Sequence, residues 1–308
     1  MSIAFVFPGQ GSQSVGMLAE LAAEFPVVSQ TFDQASEALG YDLWALVQAG
    51  PASELNLTHI TQPAMLAAGV ATWRAWQERG GFNPTLMAGH SLGEYSALVC
   101  ADALAFKDAV SLVETRGKLM QAAVPEGVGA MAALLGLDDE QVIGVCEQAA
   151  QGEVVQAVNF NSPGQVVVAG HASAVERAVN GAKAAGAKRA LVLPVSVPSH
   201  CALMVEAADK LLDVLAGIEI SKPAIPVIHN VDVESHDSAD AIRTNLAKQL
   251  HSPVRWVETV KKMGGSGVDR LIECGPGKVL AGLTKRIDRA IGGVAVFDPA
   301  SLAKALEE

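Results

Sequence analysis

Gly89-His90-Ser91-Leu92-Gly93, with Glu94 behind it, fits the Gly-x-Ser-x-Gly nucleophile elbow, in which a strand ends, turns sharply and feeds a helix. The flanks agree. Leu86-Met87-Ala88 reads as the end of a buried strand, and the residues from Glu94 to Val99 are mostly helix formers. Glycine at 89 and 93 suits a turn that is strained and packs too closely for side chains. Ser91 then stands at a helix N-terminus, where the dipole favours developing negative charge. A chain with 29 glycines produces such patterns by chance, so the motif counts only together with its strand and its helix.

That alternation of strand and helix predicts an α/β fold with a parallel sheet covered on both faces. Ile3–Phe7 is an apolar run stopped by Pro8-Gly9-Gln10-Gly11, which reads as a first buried strand entering a glycine loop. Helical patterning follows from about Met17, then over Thr31–Leu39, Pro63–Arg79 and Lys107–Ala123. At Pro125-Glu126-Gly127 the pattern changes. Gly129–Gly136, Val154–Asn159, Gln165–Gly170 and Arg189–Val195 read as strands, with helices over Asp138–Gln151 and Ala172–Ala185. The order βαββαβ is ferredoxin-like. It forms an inserted unit over 125–195, because strands at Val227–His229 and Leu271–Glu273 then resume the first pattern with helices over Ala239–Leu250, Val254–Met263 and Val279–Arg286. Segments 1–124 and 196–308 are thus expected to make one core.

Half the residues are hydrophobic and 18% are charged, enough for a large core. The formal charge is −11 with no long basic run, which excludes the concentrated basic face that nucleic acid or an anionic membrane requires. No apolar run approaches the roughly 20 residues that span a bilayer. Ile3–Phe7 is too short for a secretory signal and lacks a basic lead. Cys100, Cys146, Cys201 and Cys274 are scattered, so reduced thiols in a cytoplasmic protein are expected and a structural metal site is not.

A serine nucleophile needs a base. His200 ends Val195-Ser196-Val197-Pro198-Ser199-His200, read as an apolar strand running into a proline-fixed turn, a place where catalytic groups gather in parallel sheets. His229 and His251 remain competitors. His90 adjoins Ser91 and is expected to pack beside the turn, and Cys201 reads as a small core residue. The amide of Leu92 supplies one oxyanion donor, and Gly9-Gln10-Gly11 suits a second, the amide of Gln10. Arg116 falls inside an apolar helical stripe with Ala109, Leu112, Leu119, Met120 and Ala123, so it needs an anion, either an internal carboxylate or one on the substrate. Glu273-Cys274-Gly275-Pro276-Gly277-Lys278 lacks phosphate-loop spacing and reads as a strand-to-helix turn.

Several segments together resemble one family: Phe7-Pro8-Gly9-Gln10-Gly11-Ser12-Gln13, Thr61-Gln62-Pro63-Ala64, the elbow, Arg116-Gly117, Asn159-Phe160-Asn161-Ser162-Pro163, Pro198-Ser199-His200 and Gly275-Pro276-Gly277. They are similar, in order, to the malonyl-CoA:acyl carrier protein transacylases of bacterial fatty-acid synthesis, over nearly the whole chain. The resemblance implies an α/β-hydrolase-like core with a ferredoxin-like small domain. It implies Ser91 as the acylated nucleophile, His200 as its base, Gln10 and Leu92 as oxyanion amides, and Arg116 as the ligand of the malonyl carboxylate. It also makes Gln249 the residue whose backbone carbonyl orients the histidine, and places Gln62 in the pocket. Malonyl-CoA and an acyl carrier protein become the partners, and no tightly bound cofactor is implied.

Other readings use the same residues. A serine hydrolase or thioesterase shares the elbow but ordinarily has an acid behind its histidine. Ser199 before His200 leaves a methylmalonyl-tolerant pocket open. A non-catalytic docking domain has no need of Ser91, His200 and Gln10 together.

Overall fold

The computed structural model describes residues 2–195 and 197–307. Residue 196, where the inserted unit was expected to rejoin the core, lies outside the described residues, as does the final residue of the 196–308 segment. In chain order, β1 (Ile3–Phe7) leads through α1 (Ala19–Glu24), α2 (Pro26–Leu39), α3 (Leu43–Ala49), α4 (Ala52–Leu55) and α5 (Thr58–Glu78) to β2 (Leu86–Gly89). After α6 (Gly93–Cys100) and α7 (Phe106–Ala123) come β3 (Gly129–Leu135), α8 (Asp139–Ala150), β4 (Val155–Ser162), β5 (Gln165–His171), α9 (Ala172–Ala184) and β6 (Arg189–Val192). The chain closes with α10 (Val205–Ala216), β7 (Val227–Ile228), α11 (Ala239–Gln249), α12 (Trp256–Gly265), β8 (Arg270–Cys274), α13 (Val279–Ile287), β9 (Gly292–Val296) and α14 (Pro299–Glu307).

One sheet is parallel throughout, in the order β7-β2-β1-β8-β9, and the other is antiparallel, in the order β4-β5-β3-β6. β1 is buried along its whole length because the parallel sheet has helices on both faces. Phe5 and Phe7 pack on one side, where the Phe5 ring meets Trp73 and Trp76 of α5 edge-on at 5.1 and 5.2 Å. Ala4 and Val6 pack on the other, with Trp256 and Val260 of α12. The β1–β2 register sets Phe7 opposite Gly89, so the Pro8–Gly11 loop and the elbow leave the sheet side by side. β7 pairs Ile228 with Ala88, which brings His229 and Asn230 to the elbow from its other flank. The sheet's carboxyl end is therefore where chemistry can assemble.

The antiparallel sheet buries one face under α8 and α9. α8 starts with the capping box of Asp138 and Gln141 that its sequence announces. The other face of the sheet sets Met131, Val167 and Ala169 against Cys201.

Two expectations need correction. The strand read as Arg189–Val195 stops at Val192, two residues before Pro194, which has no N–H for the ladder. His200 therefore lies not at the end of a parallel strand but in a loop beyond β6, an edge strand of the antiparallel sheet. The segment Gly292–Glu307, which carries no clear sequence signal, forms β9 and α14. The Glu273–Lys278 turn is as expected a strand-to-helix connection. There the Glu273 carboxylate accepts the Ala281 amide at 2.8 Å, so a protein anion serves the start of α13.

Candidate active site

The elbow is built by contact distances that only glycine tolerates. A Cβ on Gly89 would lie 1.8 Å from the Gly93 carbonyl carbon, and one on Gly93 would lie 2.0 Å from the Phe7 oxygen. This packing forces Ser91 to φ 52°, in the left-handed region that costs a serine energy. Asn230 holds it there. Its Oδ1 accepts the Ser91 amide at 2.7 Å, and its Nδ2 donates to the Gly89 carbonyl at 2.7 Å.

His200 also has positive φ, 67°, and its backbone N–H donates to the Leu250 carbonyl at 2.8 Å. Its ring spans two partners. Nε2 lies 2.8 Å from Ser91 Oγ, and Nδ1 donates to the main-chain carbonyl of Gln249 at 2.7 Å. That second bond fixes the tautomer and leaves Nε2 free to accept the hydroxyl proton. Burial, followed by the charge of Arg116, pushes the imidazole down to about 3. The ring is thus neutral at physiological pH.

Arg116 is 1% exposed. Its Nη1 donates to Gln62 Oε1 at 2.7 Å, and its Nη2 to Gln249 Oε1 at 2.8 Å and, more weakly, to Ser91 Oγ at 3.4 Å. The guanidinium lies 5.4 Å from the Tyr95 ring centre, and its Nε has no partner among the described residues. No carboxylate pairs with it directly among those residues. A buried cation held by neutral amides beside a hydroxyl can receive an anion.

Ser91, His200, Arg116 and Gln62 line a cavity of about 120 Å³ together with Gln10, Leu92, Met120, Met131, Asn159, Leu193, Val195 and Ser199. The backbone amides of Gln10 and Leu92 donate to no protein acceptor among the described residues, as oxyanion donors must. His90 packs beside the turn as expected, with Nε2 on Asn161 Oδ1 at 2.8 Å and its ring against Trp256. Cys201 is buried, donates to the Pro198 carbonyl and is pushed up to about 11 by desolvation, which makes it a poor nucleophile. His251 makes no side-chain contact with Ser91, whereas His229 meets Glu94 at 2.8 Å behind the elbow.

Sequence reasoning missed three members of this site: Glu94, Asn230 and Asn159. Glu94 was visible as the sixth residue of the elbow but had no assigned partner. Asn230 follows a strand of two residues and carries no local signal. Asn159 Oδ1 is buried at the cavity wall with no partner among the described residues.

Residues 4–291 match the acyl transferase domain family. The chain is 62% identical over 304 residues to the malonyl CoA-acyl carrier protein transacylase of Escherichia coli strain K12, covering 99% of this chain and 98% of that one. Among solved structures, a malonyl-transacylase in complex with its type II PKS acyl-carrier protein superposes with a TM-score of 0.99 at 64% identity, covering 100% and 99% of the two chains. An acyl carrier protein S-malonyltransferase from Vibrio cholerae gives 0.97 at 62% identity, covering 99% and 100%. The chain belongs to the acyl transferase domain family, in its branch of malonyl CoA-acyl carrier protein transacylases.

Proposed function

We propose that this chain moves a malonyl group from malonyl-CoA to the phosphopantetheine thiol of an acyl carrier protein, through an ester on Ser91, in fatty-acid synthesis. The observation that carries the reading is the buried Arg116 guanidinium, bonded directly to no carboxylate among the described residues and 3.4 Å from the Ser91 hydroxyl. A hydrolase of simple acyl groups has no use for that cation.

His200 Nε2 takes the Ser91 proton as Oγ attacks the thioester carbonyl, and the tetrahedral oxyanion rests on the Gln10 and Leu92 amides. Collapse expels CoA, whose sulfur takes the proton from His200. In the second half, His200 accepts the proton of the carrier thiol, the thiolate attacks the Ser91 ester, and Oγ leaves with the proton. Gln62 and Gln249 hold the Arg116 fork on the malonyl carboxylate throughout. The carbonyl of Gln249, in place of an aspartate, orients His200 without adding a full negative charge, which moderates activation of water. CoA and pantetheine act as substrates, and the reading includes no tightly bound cofactor.

The parallel sheet with the elbow at its carboxyl end supports an α/β-hydrolase-like core of residues 1–124 and 196–308. The order β4-β5-β3-β6 supports a ferredoxin-like small domain of residues 125–195. No helix among the described residues is long and apolar enough to cross a membrane, and the reading is of a cytoplasmic enzyme. Ser199 on the cavity wall keeps the methylmalonyl-tolerant variant of the reading in view. Mass analysis of the protein after incubation with malonyl-CoA tests the proposal, with the Ser91→Ala variant expected to carry no adduct.

A further inference from the structure

Glu94 is fully buried, and three donors from two parts of the chain converge on it. His229 Nδ1 reaches Oε1 at 2.8 Å, while the Asn230 amide and Gln249 Nε2 both reach Oε2 at 2.9 Å. A carboxylate in this position needs a positive charge nearby. His229 does not provide it. Its Nε2 has no partner among the described residues, so an imidazolium would bury an N–H with no acceptor, whereas the neutral ring leaves only a bare lone pair. His236, whose ring centre lies 5.4 Å from that of His229, is engaged by Asp232 through Nε2.

The cation that the hydrogen bonds do reach is Arg116. Gln249 stands between the two charges. Its Oε1 accepts from Arg116 Nη2 at 2.8 Å, and its Nε2 donates to Glu94 Oε2 and, at 3.0 Å, to the Ser91 carbonyl. The amide orientation is unambiguous, because a flipped side chain would set NH₂ against the guanidinium and oxygen against the carboxylate. An amide aligned this way is polarised by both charges and couples them. A carboxylate bonded directly to Arg116 would occupy the fork that the substrate must use.

We propose that Glu94 is the counter-ion of Arg116, acting through the side-chain amide of Gln249. The amide anchors the fork, and the carboxylate balances the charge of the empty site while holding down its affinity for an acyl carboxylate. The inference rests on the reading of Arg116 as the malonyl ligand, and it makes Glu94 a positioning residue with an electrostatic consequence of known sign.

The test is the ratio of kcat/KM for malonyl-CoA over acetyl-CoA in self-acylation of the full chain. A partly misfolded preparation lowers both terms alike and leaves the ratio intact. Glu94→Gln keeps the side-chain shape and an oxygen for Gln249 if its NH₂ turns to His229, which then takes the other tautomer. It removes the charge and moves the His229 proton to Nε2, where no acceptor stands among the described residues, a cost in stability that falls on both thioesters alike. The ratio should rise about fivefold, the size of one charge's repulsion across several ångström of protein, and should not rise in the Arg116→Ala background. Gln249→Met, which removes the anchor, should lower the ratio. An unchanged or lowered ratio in Glu94→Gln, or an unchanged one in Gln249→Met, overturns the inference. An Arg116→Ala single variant that keeps the wild-type ratio overturns the underlying reading instead.

Discussion

His200 Nδ1 donates to the main-chain carbonyl of Gln249 at 2.7 Å, so the imidazole behind the Ser91 hydroxyl is oriented by a neutral dipole that no side-chain substitution removes. The ring it orients is buried and faces the Arg116 charge, and both effects hold it neutral. Two consequences for pH follow from that pairing.

The first concerns reactivity. A neutral base is lost only when pH falls through its own pKa, so labelling of Ser91 by an uncharged serine-reactive probe should persist well below pH 6. Arg116→Ala removes the largest lowering cause after burial and should move the acid limb of the labelling rate to higher pH. A limb that stays fixed or moves to lower pH would contradict the field assigned to Arg116.

The second concerns stability. His90 and His200 both lie below the ordinary value of 6.5, chiefly through burial. Below that value the unfolded chain binds protons that the fold refuses. Their contribution is fully present above about pH 6.5 and is lost as pH falls from there toward the lowered values. Denaturant melts at pH 7.0 and 5.0 should differ, and replacing His90 with Gln should shrink the difference.

Arg116→Ala should also remove most malonyl transfer while gaining relative activity on acetyl-CoA. A charge-assisted bidentate contact is worth roughly 1.5–3 kcal/mol, about a ten- to hundredfold change in discrimination. Initial rates with the two thioesters measure it. An unchanged preference would return Arg116 to a purely structural role.

Gly89→Ala should cost at least about 2 kcal/mol, because the added methyl meets backbone of Gly93 and Glu94 rather than a side chain that can move. Thermal melting reads the loss. A stable variant with normal Ser91 labelling would show that the elbow relaxes more easily than its contacts imply.

What the sequence made legible was whatever its local chemistry dictates. The elbow could be read because glycine is required at 89 and 93, and the small sheet because Asn161-Ser162-Pro163-Gly164 turns the chain between β4 and β5. β9 escaped because Gly292-Gly293 weakens its apolar signal, whereas β7, read as Val227–His229, forms over Val227–Ile228. His200 was found for a wrong reason. Its residue type and neighbouring proline drew attention, but its place depends on a loop that returns to α11 rather than on a parallel strand. Glu94 with Gln249 and Asn230 was illegible, since these residues are 155 and 136 positions apart and only the sheet order joins them.

Lys188 and Arg189 are exposed at the start of β6, and the chain beyond that strand reaches the cavity wall at Leu193 and Val195. With an overall charge of −11, the chain as a whole repels an acidic partner, and if the carrier protein is acidic its docking is expected to depend on such a local basic patch. Reversing both to glutamate should raise the KM for carrier protein severalfold and leave Ser91 malonylation by CoA thioester intact. Added salt should weaken transfer more than self-acylation, since exposed charges are screened within about 10 Å at 0.1 M. A second basic pair, Lys285 and Arg286 in the last turn of α13, is less free, because Arg286 donates to Gln165 Oε1 at 2.9 Å. If both half-reactions fell together, the Lys188–Arg189 pair would be structural.

Intact-mass measurement after incubation with malonyl-CoA, followed by peptide mapping, addresses the nucleophile itself. One malonyl group on Ser91 is expected, discharged on addition of holo carrier protein and absent from Ser91→Ala. An adduct that persists in the variant, on Cys201 or any other residue, would contradict the assignment of Ser91.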